Sequence, residues 1–238
     1  MNQDEPQPVF KSFDPCAELL VSERNLPHWF QPGAAIFVTF RTADSMPAEV
    51  VQRWQRELED WLRTRDLPIG LAQSTVSRHL MTHDRMMEQL APNQRSEFQK
   101  RSDQLFHRSL DACHGACVLG DPEIAKIVGE TLLFHRGTKY ELDRLVVMPN
   151  HVHAIVQFDP ESNLSVVSQS WMRYSARQIN QALGTSGPFW QPEPFDHIIR
   201  SPEQFHYLQQ YIFDNPAKAN LRPGEFLYWE RTNSNPPE

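Results

Sequence analysis

The sequence predicts an α+β fold: a βαββαβ antiparallel sheet with helices on one face and a helical insertion after the first helix. Three observations lead there. Two β-rich runs, TKYELDRLVVMP and NHVHAIVQF, meet at Pro149-Asn150, a turn dipeptide, and so form a hairpin or two close strands. AAIFVTFR, from Ala34 to Arg41, is dense in β-branched and aromatic residues and makes another strand. Segments of helical spacing separate these strands and follow the last one, FDHIIRS.

Taken in order, residues 1–26 form an N-terminal extension without periodicity, and PHWFQPG is an extended lead-in to Ala34–Arg41. Ser45, Pro47 and Glu49 mark a helix start, and Trp54, Leu58 and Trp61 continue it at helical spacing. Residues 64–112 form the insertion, polar and rich in Arg, Gln and His, helical in pieces. Asp121-Pro122-Glu123 opens the next helix with a capping carboxylate, a proline in the first turn and an acid at the positive dipole end. After the hairpin, Leu164 to Leu183 is helical and ends at Gly184. Pro202 opens a last helix, which should stop near Asn215-Pro216 because a residue before proline avoids the α region. Residues 27–225 form the main domain and 226–238 a tail.

Composition narrows the function classes. The chain of 238 residues is 39% hydrophobic and 22% charged, which is globular rather than disordered. No stretch has the apolar length of a membrane span, and the acidic, Pro-broken MNQDEPQPVF is unlike a signal peptide, so a cytoplasmic protein with no membrane partner is expected. Three cysteines cannot pair completely and fit a reducing compartment. A net charge of −7 argues against non-specific coating of nucleic acid, while a local basic groove stays open.

Two constellations carry chemistry. On a strand side chains alternate, so His151, His153, Ile155 and Gln157 of NHVHAIVQF face one way and Val152, Ala154, Val156 and Phe158 the other. Two imidazoles on one face can share a metal ion, with Val152 anchored in the core and both rings on the exposed face. A bare His-x-His equally suits two half-exposed sheet histidines. On the last helix, Tyr207, Tyr211 and Asn215 share a face, where a phenol near a metal-polarised phosphate could act as nucleophile; a core tyrosine and an Asn cap fit as well. Three further features are set aside. His79 and His83 lack the glutamate of a zinc helix. Cys113, His114 and Cys117, with His107, lack a second Cys pair and read as a turn with buried thiols. Tyr174 lacks a following Asn-Pro.

MPNHVHAIV, GPFWQPEPFDHIIRSPEQF and YIFDNPAKANL resemble, in order and spacing, the IS200/IS605-like single-tyrosine transposases, and most closely the REP-associated tyrosine transposases (RAYT). The resemblance covers roughly residues 27–225, strongest over 138–222. It implies a HUH endonuclease on a ferredoxin-like sheet, with His151 and His153 as the paired histidines and Tyr211 as nucleophile. Asn215 matches the position that completes the metal site in relatives. The implied chemistry is cleavage and rejoining of single-stranded DNA at hairpin-forming repeats through a 5′-phosphotyrosine, with Mg²⁺ as the cofactor in cells and Mn²⁺ able to substitute. Localisation with the nucleoid follows.

Single-stranded or hairpin DNA is the expected partner. Arg173 and Arg177, four apart on one helix face, and Arg200, Lys218 and Arg222 are candidate phosphate contacts, though each also fits a solvated surface charge. Trp190 could stack on an unpaired base or sit at the edge of the core. The IS200 branch acts as homodimers and the RAYT branch need not, so a homodimer stays open. Two rival readings remain: a domesticated hairpin DNA-binding protein without cleavage, and a metal-dependent phosphodiesterase that uses water.

Overall fold

The computed structural model describes residues 10–17, 19–23, 27–72, 87–192 and 194–232. Strands β1 (Leu20–Glu23) and β2 (Pro27–Phe30) pair as a separate antiparallel ribbon. The main sheet has five strands: β3 (Ala35–Arg41), β4 (Tyr140–Met148), β5 (His151–Phe158), β6 (Phe195–Ile198) and β7 (Leu227–Glu230), in the order β6-β3-β5-β4-β7. Every neighbouring pair is antiparallel. Four of these strands place the fourth, first, third and second strands of a βαββαβ unit side by side, which is the ferredoxin-like order. β5 lies at the centre, hydrogen-bonded on both edges, so its side chains are fixed in register from two directions.

Helix α3 (Pro122–Leu133) follows the insertion and α4 (Leu164–Leu183) follows β5. Asp121 caps α3 as its sequence predicts, its Oδ1 accepting from the backbone N–H of Glu123 at 2.8 Å. Both helices pack on the sheet face formed by Ile36, Val38, Val152, Ala154 and Val156. Helix α5 (Pro202–Lys218) takes the other face, where Leu208 and Ile212 meet Ala35, Phe37, Val146, Met148 and Ile155. The helices of the βαββαβ unit thus share one face as expected, while the helix added after it closes the opposite one.

Three boundaries differ from the sequence expectation. Helix α5 does not stop at Asn215 but runs two residues past Pro216. A proline so near the end removes a single ladder bond, and Asn215 and Pro216 are both buried by packing that holds the last turn. Residues 226–238, expected as a tail, contain β7, which pairs with the edge of β4. Helix α1 (Ala48–Arg63) does not cover the sheet with α3 but packs against α2 (Pro92–Asp111), burying Leu58, Leu62, Phe98 and Leu105 in a core of their own. Helical periodicity tells which stripe of α1 is apolar, not which neighbour receives it. The insertion therefore begins structurally at α1 rather than at residue 64. His79 and His83 lie outside the described residues.

Candidate metal and tyrosine site

The predicted alternation of β5 is present, with Val152 and Ala154 in the α3–α4 core and His151 and His153 on the α5 side. The exposed setting expected for the imidazoles is not. Both histidines are 0% exposed, because α5 and the C-terminal end of α2 cover this face of the sheet. His153 stacks on Phe37 of β3, with ring centroids 5.1 Å apart. Its Nδ1 lies 2.7 Å from Thr39 Oγ1, directly across the β3–β5 pairing. His151 Nδ1 lies 2.7 Å from Asn150 Oδ1. With both Nδ1 atoms engaged by the strand and its turn, both Nε2 atoms are left to face the site.

Burial and the nearby His107 push His151 down to about 3, and burial with the neighbouring histidines pushes His153 well below the ordinary imidazole range. Both rings are neutral near pH 7 and keep a lone pair for a cation. His151 Nε2 is a buried nitrogen without a hydrogen-bond partner among the described residues.

Helix α2 completes the cluster. Asp111, its last residue, places Oδ1 4.0 Å from His151 Nε2, and ligand atoms of Asp111, His151 and His153 all lie within 4.8 Å of one another. Burial raises the Asp111 carboxyl to about 6, against the opposing pull of the Asn215 hydrogen bond and the Lys218 charge. Asn215, fully buried on α5, donates from Nδ2 to Asp111 Oδ1 at 3.4 Å, and its own Oδ1 is buried without a partner among the described residues. Two imidazoles, a carboxylate and an unpaired amide oxygen converge here. Orphaned acceptors of this kind are costly when buried unless something positive occupies the space between them.

Tyr211 stands at the same point. Its hydroxyl is 3.4 Å from His153 Nε2 and 3.3 Å from Nδ1 of His107, which α2 supplies one turn before Asp111. Burial, then the Asp111 charge, raises the phenol above its ordinary value, so it holds its proton in this environment. His107, lowered to about 4 by burial, is neutral and can accept that proton in a hydrogen bond. Lys218 Nζ lies 5.2 Å from the Tyr211 ring centroid and is exposed.

The structure brings Tyr211, His151, His153, Asn215 and Lys218 together, and the other predicted residues separate from them. Arg173 and Arg177 are exposed on α4, against the sheet face opposite the histidines. Arg200 and Arg222 are exposed near the two ends of α5. Trp190 is a core residue, 5% exposed, its indole N–H donating to Ser175 Oγ at 2.9 Å and its ring edge-on to Phe40. A base cannot stack on a ring already enclosed in the core, which corrects its assignment as a DNA contact. Tyr174, at 51% exposure, shares the far face with the arginines, and Tyr207, at 68%, points to solvent from α5. Cys113 and Cys117 sit in the turn after α2, half-buried rather than buried. His107 and Asp111 are the site residues that sequence reasoning missed. Their four-residue spacing on a helix was the available signal, and it carries no indication of what that helix faces.

The family model described as "Transposase IS200 like" matches residues 124–215, a span that takes in His151, His153, Tyr211 and Asn215 and ends short of His107 and Asp111 on the N-terminal side. A solved structure of a REP-associated tyrosine transposase bound to a REP hairpin aligns over 91% of this chain and 94% of its own, at 14% identity and a TM-score of 0.37. No curated protein matches the chain. Among the described residues, no helix is long and apolar enough to cross a membrane.

Proposed function

We propose that this chain, whose residues 124–215 match the IS200-like transposase family model, is a HUH endonuclease of the RAYT type. It would cleave and rejoin single-stranded DNA at hairpin-forming repeats. The observation that carries the reading is the position of the Tyr211 hydroxyl, 3.4 Å from His153 Nε2 in the cluster that also holds His151 and Asp111.

His151, His153 and Asp111 would hold a divalent cation, with Asn215 Oδ1 as a further donor. The mixed imidazole and oxygen set suits Mn²⁺ well, and Mg²⁺ is the expected ion in cells. Bound there, the cation supplies Lewis acidity to the scissile phosphate. Tyr211 Oη attacks phosphorus in line, the bond from phosphorus to the 3′ oxygen breaks, and that oxygen leaves as a free 3′-hydroxyl while the 5′-phosphate stays on the tyrosine. The phenol proton passes by way of His107 or water to the departing 3′ oxygen. Because the ester keeps the bond energy, attack by another 3′-hydroxyl rejoins strands and releases Tyr211. Lys218, Arg200 and Arg222 offer positive charge around α5 for the incoming backbone.

A 5′-labelled or 3′-labelled hairpin with a single-stranded flank, incubated with Mn²⁺ and run on a denaturing gel, tests this. The expected result is a covalent adduct carrying the strand 3′ of the cut, lost in Tyr211→Phe and kept in Tyr207→Phe and Tyr174→Phe. Cleavage by Tyr211→Phe without an adduct would make water the nucleophile. The full burial of His151 and His153 is the observation that favours the rival binder without cleavage. Hairpin binding with no adduct under any metal would establish that rival.

A further inference from the structure

Pro149-Asn150 reads in the sequence as a turn, yet Asn150 is fully buried and both ends of its side-chain amide are engaged. The engagement leaves one chemical solution. The carbonyl oxygen of His114, 2.9 Å from Asn150 Nδ2, can only accept, so the amide nitrogen must face it. Asn150 Oδ1 must then face His151 Nδ1, at 2.7 Å. That oxygen also only accepts, so Nδ1 carries the proton. A neutral imidazole has one N–H, which leaves Nε2 as a bare lone pair. Nε2 is the atom that points at Asp111 and has no partner of its own.

We propose that Asn150 is a positioning residue that fixes His151 as its Nδ1–H tautomer and so presents Nε2 as a ready metal ligand, with the loop after α2 setting the direction of the Asn150 amide. This deepens the metal site proposed above and rests on it for its purpose, though the tautomer itself does not depend on a bound ion. The loop is held well enough to act as a reference point. Cys113, Gly115 and Cys117 all have positive φ, and the Ala116 N–H donates to Asp44 Oδ2 at 2.7 Å. The Leu119 N–H donates to Pro149 O at 3.1 Å, tying the loop to the hairpin turn. Thr42 holds Asn150 from the third side, its N–H and hydroxyl both donating to the Asn150 carbonyl at 2.9 and 3.2 Å. Outer hydrogen bonds of this kind fix ring orientation and tautomer in metal-ligating histidines.

The test reads the proton directly. Long-range ¹⁵N–¹H NMR of the metal-free, histidine-labelled protein at neutral pH should show His151 protonated at Nδ1. Asn150→Ala should move a substantial population to Nε2–H and weaken Mn²⁺ binding, titrated without DNA, by roughly 10- to 100-fold. Asn150→Asp keeps an acceptor toward Nδ1 but cannot donate to the His114 carbonyl, so it should hold the Nδ1–H form less firmly than the wild type and more firmly than Asn150→Ala. A wild-type His151 protonated at Nε2, or a tautomer and Mn²⁺ affinity unchanged in Asn150→Ala, would overturn the proposal. Should Asn150→Ala fail to fold, the wild-type spectrum and Asn150→Asp still decide. An Asn150-dependent Nδ1–H in a wild type that binds no Mn²⁺ would uphold the positioning role while sinking the metal site.

Discussion

The hairpin of β4 and β5 and the helix α2 reach Tyr211 by different routes. β5 is the central strand of the sheet, paired on both edges, inside the span that the IS200-like transposase family model matches, and its histidines follow from a period of two. Helix α2 belongs to an insertion with its own apolar core, lies outside that span, and has a mostly polar sequence. Yet its last turn supplies His107 to the phenol and Asp111 to the histidine pair. The contrast shows how such a site can divide its labour. The sheet fixes the two imidazoles, and an added helix brings a carboxylate and a third imidazole to them and roofs them over.

Substitutions on the hairpin side should have the largest effect. His151→Ala and His153→Ala are each expected to abolish cleavage and adduct formation, since each removes one of the two imidazoles proposed to hold the cation. Their full burial adds a stability cost that solvent-facing rings would not carry, of order 1–3 kcal/mol for the emptied and unpaired site. Chemical denaturation alongside the cleavage assay separates the two effects. Adduct formation at the wild-type rate in either variant would remove the pair from the chemistry. Val152→Asp tests the other side of the same strand and should prevent folding, because it buries an unpaired carboxylate among Ile36, Val38 and Ala154.

On the α2 side, Asp111→Asn should weaken Mn²⁺ binding and slow cleavage substantially while leaving the fold intact, because the amide keeps the shape and loses the charge. Asn215→Ala is the counterpart on α5. If Asn215→Ala costs Mn²⁺ affinity and Asp111→Asn costs none, α2 is a cover rather than a source of ligand. Calorimetric titration of both variants gives that comparison without any DNA.

Acid stability addresses the cover itself. Burial lowers His107 and His197 to about 4, His151 to about 3 and His153 well below the ordinary value, from an unfolded value of 6.5. Below pH 6.5 the unfolded chain therefore binds protons that the folded chain does not, and stability falls as pH drops through the window from about 6.5 to about 4. Asp103 and Asp111, both raised to about 6, and Asp143, also raised, work the other way and gain stability on protonation, but the four histidines are displaced further in total. The expected net loss between pH 7 and pH 4.5 is several kcal/mol, on the order of 10 °C in Tm. A flat Tm over that range would mean the histidines are wetter than their packing indicates.

How much of this was legible depended on whether a signal was local. The element order and the shared face of His151 and His153 follow from periodicity, and Tyr211 with Asn215 follows from helical spacing joined to a family resemblance. Asp121 announces its own cap. What stayed hidden were contacts across the chain. Nothing in NHVHAIVQF shows that α5 and α2 will close over its polar face, so the histidines look exposed. Trp190 follows a Gly/Pro-rich turn and fits either a base-stacking ring or one at the edge of the core; Phe40 and Ser175, distant in sequence, decide for the core. His107 and Asp111 lie on a polar face of α2, while its apolar residues Phe98 and Leu105 pack with α1 in a separate core, so nothing in the sequence shows that the polar face meets the sheet.

The smallest expected effect separates the two faces of the sheet. Arg173 and Arg177 lie on α4, across the sheet from the histidines, with Arg177 placed over the Tyr174 ring at 5.8 Å. If they touch DNA, they do so away from the cut, as uniform phosphate contacts. Arg173→Ala and Arg177→Ala should then each lower the salt dependence of hairpin binding by about one unit of slope, with a modest loss of affinity. The cleavage rate at saturating DNA should not change, because neither side chain reaches Tyr211. Lys218→Ala, beside the phenol, is the contrasting case: it should alter the rate at saturation as well as binding. A rate defect in Arg177→Ala at saturating DNA would mean the strand wraps from α4 to the site and that the two faces act as one surface. An unchanged salt slope in both arginine variants would leave α4 as scaffold and confine the DNA to the α5 side.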